Sequence, residues 1–227
     1  MSGGSFVSPE TRQRVRGWAV PVAVAMGRLG LTPNALTVIG FVGTVVAAVA
    51  VATQQWLLGG ILVLAFGIFD LFDGALARAT GRASKFGAFL DSTLDRTGES
   101  LVLAGVAVGC ASVGFGEGVL AAGVAAAFAS GVTYTRAKAE SLGLHGEIGV
   151  APRPERLALL SGGLILAGIG GGVRIVPTPG AACIESCIQS GGLFLLAALG
   201  LIAILSAVTV LQRIVHVKRQ LDSTDQQ

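Results

Sequence analysis

The chain has 227 residues, 52% of them hydrophobic and 13% charged, with 34 glycines and a mean hydropathy of +0.76. Soluble domains carry about 25% charged residues, so this composition excludes an ordinary soluble protein and points to one domain embedded in lipid. The net charge of +3 does not indicate a nucleic-acid partner, because no basic, aromatic-interleaved surface lies outside the apolar runs.

Residues 8–29 mix Arg12, Arg14 and Arg16 with Val15, Trp18, Val20 and Val22, and Pro21 interrupts the middle. That pattern predicts an interfacial amphipathic helix lying on the membrane. No small-residue cleavage pattern follows the arginines, so this segment is expected to stay attached. Leu31-Thr32-Pro33-Asn34 then reads as a helix start with Asn34 as the cap.

Six apolar stretches follow, at about 34–53, 57–80, 91–112, 118–141, 157–172 and 191–213. Each approaches the ~20 residues that cross ~30 Å of hydrocarbon. The expected fold is therefore an all-α integral membrane protein, with six transmembrane helices behind the N-terminal interfacial helix and a tail at 214–227. Placing the polar turn at 81–87 in the cytoplasm puts 15 of the 16 Lys and Arg on that side and leaves only Arg174 outside. Such a bias follows the positive-inside rule and predicts a multi-pass protein of the cell membrane with both termini cytoplasmic. Of the three cysteines, Cys110 falls in an apolar run, and Cys183 and Cys187 share a later loop, bridged or as free thiols.

Against this apolar background, Asp70, Asp73, Asp91 and Asp95 stand out. An ionised Asp at the centre of a membrane helix costs roughly 2.5–3.5 kcal/mol, so such residues face a cavity, a partner or an ion. Asp70 and Asp73 are i and i+3, and Asp91 and Asp95 are i and i+4, so each pair projects from one helix face. If the chain reverses between Thr80 and Phe86, the two pairs meet. Carboxylate oxygens are hard ligands that suit Mg2+ or Mn2+. Gly74 and Gly87 leave room beside the acids, and Arg78 is placed to reach an anion.

Asp70, Asp73, Gly74, Ala77, Arg78, Gly87, Asp91 and Asp95 match D-x-x-D-G-x-x-A-R-x8-G-x-x-x-D-x-x-x-D at every fixed position. By this pattern the chain resembles the CDP-alcohol phosphotransferases. The resemblance implies transfer of a phosphatidyl-type group from a CDP-linked lipid to an alcohol, with release of CMP. It implies two metal ions held by Asp70, Asp73 and Asp91, with Asp95 as general base or as a fourth ligand. It also implies that Gly74, Ala77, Arg78 and Ser84, with Asn34, Ala35, Leu36 and Thr37 at the start of the first span, contact the CDP moiety, beside Asp70 and Asp73.

Arg136, Arg156 and Arg213 fall near one membrane depth on the acidic side, where three guanidiniums would hold a phosphate carried by the acceptor. Their segments, YTRAKAE and RPER among them, resemble the branch of the family that uses inositol phosphate. Glycerol 3-phosphate is the alternative acceptor. An ion-coupled transporter is the alternative of another class, and a homodimer is expected from the resemblance alone.

Overall fold

The computed structural model describes residues 20–173 and 190–224, together with the backbone of 175–177 and 186–188. Seven helices account for almost all of it: α1 (20–28), α2 (Pro33–Ala52), α3 (Trp56–Ala79), α4 (Lys85–Ala111), α5 (Gly116–Ser141), α6 (Arg153–Ile169) and α7 (Ser190–Thr224). Two three-residue strands, β1 (Ile175–Pro177) and β2 (Ser186–Ile188), pair antiparallel with Val176 opposite Cys187. Most of the expected interfacial helix, residues 8–19, lies outside the described residues, as does Cys183. Helix α1 is its described end.

Packing closes α2 to α7 into a ring. Helix α2 packs on α3 and α4, α4 on α5, α5 on α7, α7 on α6, and α6 on α3. Although α3 and α4 are joined by a turn at 80–84, they do not pack along their lengths. Helix α2 stands between them. Gly81 makes that turn possible, with a φ of +65° that side-chain-bearing residues rarely adopt.

One end of the ring is dry. Val51, Trp56, Val106, Cys110, Phe115, Leu164 and Leu199 form its core there. The opposite end buries Thr37, Asp73, Glu155, Arg156, Thr209 and Arg213. Outward faces such as Val38, Val42, Val46 and Val49 of α2 are apolar and exposed, as a surface in contact with lipid tails requires.

Two expectations change. Thr32, not Asn34, caps α2, its hydroxyl accepting from the Ala35 amide at 3.2 Å. Pro33 takes the first helical position, where its missing N–H costs nothing, and Asn34 is left free to face elsewhere. The 214–227 tail is also not separate, because α7 continues without a break to Thr224. Gln220 secures that extension by exchanging two hydrogen bonds with the His145 backbone, at 3.0 and 2.8 Å.

Helices α2, α3, α5 and α7 are each long and apolar enough to cross a membrane. Helix α4 carries Asp91, Asp95, Arg96 and Glu99 in its first half, and α6 has only 17 residues, about 25 Å at 1.5 Å per residue. Neither qualifies on composition and length alone.

Where α4 crosses α2, a Cβ on Gly105 would stand 2.5 Å from the Ala48 carbonyl oxygen. That neighbour is backbone and cannot swing aside, so Gly105→Val is expected to cost about 1–3 kcal/mol, the usual range for overpacking. A lowered melting temperature of the detergent-solubilised protein would register it, and an unchanged one would show that the two helices can separate freely.

Candidate active site

The carboxylates sit where α3 and α4 part. Asp70 and Asp73 lie in the second half of α3, and Asp91 and Asp95 in the first half of α4. Ser84 starts α4 by accepting the Gly87 amide at 3.0 Å, which orients the face bearing Asp91, Asp95 and, one further turn on, Glu99.

Two cavities flank the gap, and Asp91 lines both. The first, about 220 Å³, is lined by Asn34, Thr37, Asp73, Gly74, Ala77, Arg78, Arg82, Ser84 and Gly87, among others. Its wall is built for a close-fitting polar ligand. Thr37 donates to Asp73 Oδ2 at 2.6 Å, and the Gly74 amide donates to the other oxygen of the same carboxylate. A side chain on Gly87 would press on Asn34 Oδ1 and Ser84 Oγ, each 3.1 Å from its Cβ. The second cavity, about 340 Å³, combines Asp70, Asp95 and Arg153 with Leu64, Ile68, Leu71 and Leu157. It is acidic at one wall and oily elsewhere.

The expected meeting of the two acidic pairs is thus reached in part. Asp91 senses the charges of both Asp73 and Asp70, and Asp70 and Asp95 interact directly. Among the described residues, however, no three acids surround a single point as ligands. The reason is visible beside them. Arg153, first residue of α6, places one nitrogen 2.9 Å from Asp70 Oδ2 and another on Asp95 Oδ2. A guanidinium holds the position a cation would take, and every candidate donor is a hard oxygen. The residues therefore fit a divalent cation in the chemistry of their donors, while their oxygens are gathered around Arg153 and not around one ligand point.

Of the CDP-contact candidates, Asn34, Thr37, Asp73, Gly74, Ala77, Arg78 and Ser84 all line the first cavity. Leu36 does not, being packed instead with Ala23, Ala75 and Leu76. Ala35 contributes its amide to the Thr32 cap. Asp70 belongs to the second cavity. Arg82, in the turn between α3 and α4, also lines the first cavity beside Arg78.

Of the three arginines expected to hold a phosphate, Arg213 lies within electrostatic range of Arg136 and Arg156. Each is already engaged. Arg156, 2% exposed, grips Glu99 with two nitrogens at 2.7 Å and donates a third bond, at 3.0 Å, to the Ala151 carbonyl. Arg213, 5% exposed, donates to the carbonyls of Ile148, at 2.8 Å, and Val132. Half-exposed Arg136 pairs with Glu140 at 2.8 Å and Glu147 at 2.7 Å. Thr209 adds a 3.1 Å bond from the Ala151 amide, so the 142–152 connection is strapped to α6 and α7 by the same residues that would hold a phosphate.

Glu99 and Arg153 are the residues the spacing argument passed over. Glu99 was legible, because it continues the Asp91, Asp95 ladder by one more i+4 step. Arg153 is not legible in this way, since nothing in the sequence aims it at the acids. Removing one member of a buried pair costs about 3–5 kcal/mol, whereas apolar replacement of both is often neutral. Glu99→Ala is accordingly expected to destabilise strongly and Glu99→Leu with Arg156→Met to recover much of the loss, as thermal melts would report.

Comparison with known proteins agrees with this architecture. The profile of the CDP-alcohol phosphatidyltransferase family matches residues 30–169. The phosphatidylinositol phosphate synthase of Cutibacterium acnes is 38% identical over 91% of this chain and 97% of its own length. Crystal structures of the Mycobacterium tuberculosis phosphatidylinositol phosphate synthase are similar at 29% identity. One has CDP-DAG bound, with a TM-score of 0.72 over 88% of this chain and 92% of that one. Another is in complex with manganese and citrate, with a TM-score of 0.71 over 88% of each chain. The fixed acidic pattern, the ring that displays it and these likenesses along most of the chain make this protein a member of the CDP-alcohol phosphatidyltransferase family, and so a transferase.

Proposed function

We propose that the protein transfers the phosphatidyl group of CDP-diacylglycerol to inositol phosphate, forming phosphatidylinositol phosphate and CMP. The observation that carries this reading is the placement of Asp91 on both cavities. A chamber lined by Arg78, Arg82, Asn34, Thr37 and Ser84 and one lined by Leu64, Ile68, Leu71 and Leu157 meet at an acidic wall, as a lipid joined to a nucleotide through a diphosphate requires.

In this reading the first cavity takes the CDP head. Arg78 and Arg82 face its phosphates, and Asn34, Thr37 and Ser84 offer hydrogen-bonding groups. The apolar side of the second cavity, with Leu64, Leu71 and Leu157, receives the start of the lipid tails. Asp70, Asp73, Asp91 and Asp95 would hold two Mg2+ or Mn2+ ions, which when bound neutralise the diphosphate and stabilise the entering and leaving oxygens. Asp95 accepts the proton of the acceptor hydroxyl as that oxygen attacks the lipid-bearing phosphorus, while the bond to the CMP oxygen breaks. Arg136, Arg156 and Arg213 hold the acceptor's own phosphate one helix face away from Asp95. The manganese complex and the bound CDP-DAG of the tuberculosis relative support the cofactor and the donor, and the C. acnes likeness supports the acceptor.

Helices α4 and α6 complete six spans in this reading, and the even number with the basic bias places both termini and the site in the cytoplasm, at the cell membrane. The whole chain is then one membrane domain. Family resemblance supports a homodimer, which the mass of the solubilised protein would report.

Purified protein given CDP-diacylglycerol, Mg2+ or Mn2+ and inositol phosphate is expected to release CMP, and chelation to stop it. Release with glycerol 3-phosphate alone would overturn the choice of acceptor. Asp91→Asn and Asp95→Asn should each lower turnover at least ~100-fold, within the range attributed to general acid–base and metal chemistry, with melting behaviour preserved in Asp91→Asn and lowered in Asp95→Asn, which also weakens the Arg153 bridge. For the acceptor pocket the exposed Arg136 is the safer probe than buried Arg156: Arg136→Ala should raise the KM for inositol phosphate more than that for CDP-diacylglycerol, and equal changes in both would remove it from the pocket.

A further inference from the structure

We propose that Arg153 is the resting counter-cation of the carboxylate gap, a positioning residue that holds Asp70 and Asp95 until divalent metal displaces it. The inference rests on the metal-binding reading of these acids. Its basis is the geometry of one guanidinium shared between two helices that do not otherwise pack along their lengths.

Arg153 reaches the α3 acid with one nitrogen and the α4 acid with the other. Arginine's flat fork permits that division from two separate nitrogens, whereas an ammonium offers all its donors from one nitrogen and cannot span the same two positions. The position is otherwise unfavourable for a cation. Arg153 opens α6, and the N-terminal end of a helix carries partial positive charge that repels it. Its Nε is buried without a hydrogen-bond partner, an unmet cost that the two carboxylates must offset. Pro152 and Pro154 flank it, Pro152 as the cap with φ −62°, so the backbone that presents the side chain is restricted before any ligand arrives.

The bridge has a consequence for the reaction. While Arg153 occupies Asp95 Oδ2 and Asp70 Oδ2, those oxygens are not available to a metal, and Asp95 is hindered as a base. Metal loading then exchanges one cation for another, and the apparent metal affinity equals the intrinsic affinity reduced by the fraction of molecules in which the bridge is open. Asp91 remains for first contact, since Arg153 donates to Asp70 and Asp95 and Asp73 accepts from Thr37 and the Gly74 amide.

Mn2+ binding to the purified full-length protein, measured by calorimetry and by loss of the free-ion EPR signal, tests this directly. Arg153→Gln is expected to tighten the Mn2+ Kd about tenfold or more, as when the open form is a tenth of the population or less. It should also lower the melting temperature of the metal-free protein, with the deficit closing at saturating Mn2+. Arg153→Lys, which keeps the charge and loses the two-way bridge, should shift the Kd in the same direction. A wild-type Kd in Arg153→Lys, a weaker Kd in Arg153→Gln, or a melting deficit of equal size with and without Mn2+ would each overturn the proposal. Wild-type protein that binds no Mn2+ would overturn the metal reading along with it. Unchanged binding in both variants, beside intact wild-type binding and CMP release, would sink this inference alone.

Discussion

Four carboxylates in a gap that apolar helices surround set the terms for everything else in this fold. Like charges at such a place repel and are poorly solvated, so each needs a donor, a cation or open space. Helix α2 supplies the space by keeping α3 and α4 apart, and it does so with small residues on the inward face. At Gly40 a Cβ would stand 2.8 Å from Asp70 Oδ1, and one turn earlier Thr37 replaces bulk with a hydroxyl donated to Asp73. From the other side α6 sends in Arg153. The ring order, with α2 and α6 on either flank of α3, follows from what the acids need.

Much of this was legible in the amino-acid order. The apolar runs marked all six long helices to within a few residues at most ends, because hydrophobic length is the dominant signal in a chain this poor in charge. Helices α4 and α7 were the exceptions: α4 begins at Lys85 and not near Asp91, since its first turns are too polar to register as an apolar run and are started by the Ser84 cap, and α7 runs on past 213 to Thr224 through residues too polar to extend the run. Spacing put each acidic pair on one helix face, and the turn at Gly81 brought the pairs to one gap. What periodicity could not supply was the third dimension. Neither the wedge formed by α2 nor the reach of Arg153 over more than 80 positions to Asp70 leaves any trace in local pattern. Thr32 could have been chosen over Asn34, because proline favours the first helical position and so places the cap just before it.

The acceptor side obeys the same rule as the metal side, with the signs reversed. Arg136, Arg156 and Arg213 carry three positive charges, and Glu99, Glu140 and Glu147 set three negative charges against them. Arg213 relies on backbone carbonyls in place of a carboxylate. An incoming phosphate therefore does not meet bare cations. It must share guanidinium donors with glutamates or displace them, just as a divalent ion must take over carboxylates that Arg153 holds. Uncompensated ions in so dry a setting would each cost several kcal/mol, so a resting protein neutralised by its own side chains is the form that can fold in lipid. The difference between the two sides lies in rigidity. Arg153 has an unsatisfied Nε and only carboxylate partners, whereas Arg156 and Arg213 are also fastened to the 142–152 backbone. Exchange is thus easier at Arg153 than at Arg156 and Arg213, and those two arginines are held in place by backbone before a phosphate arrives.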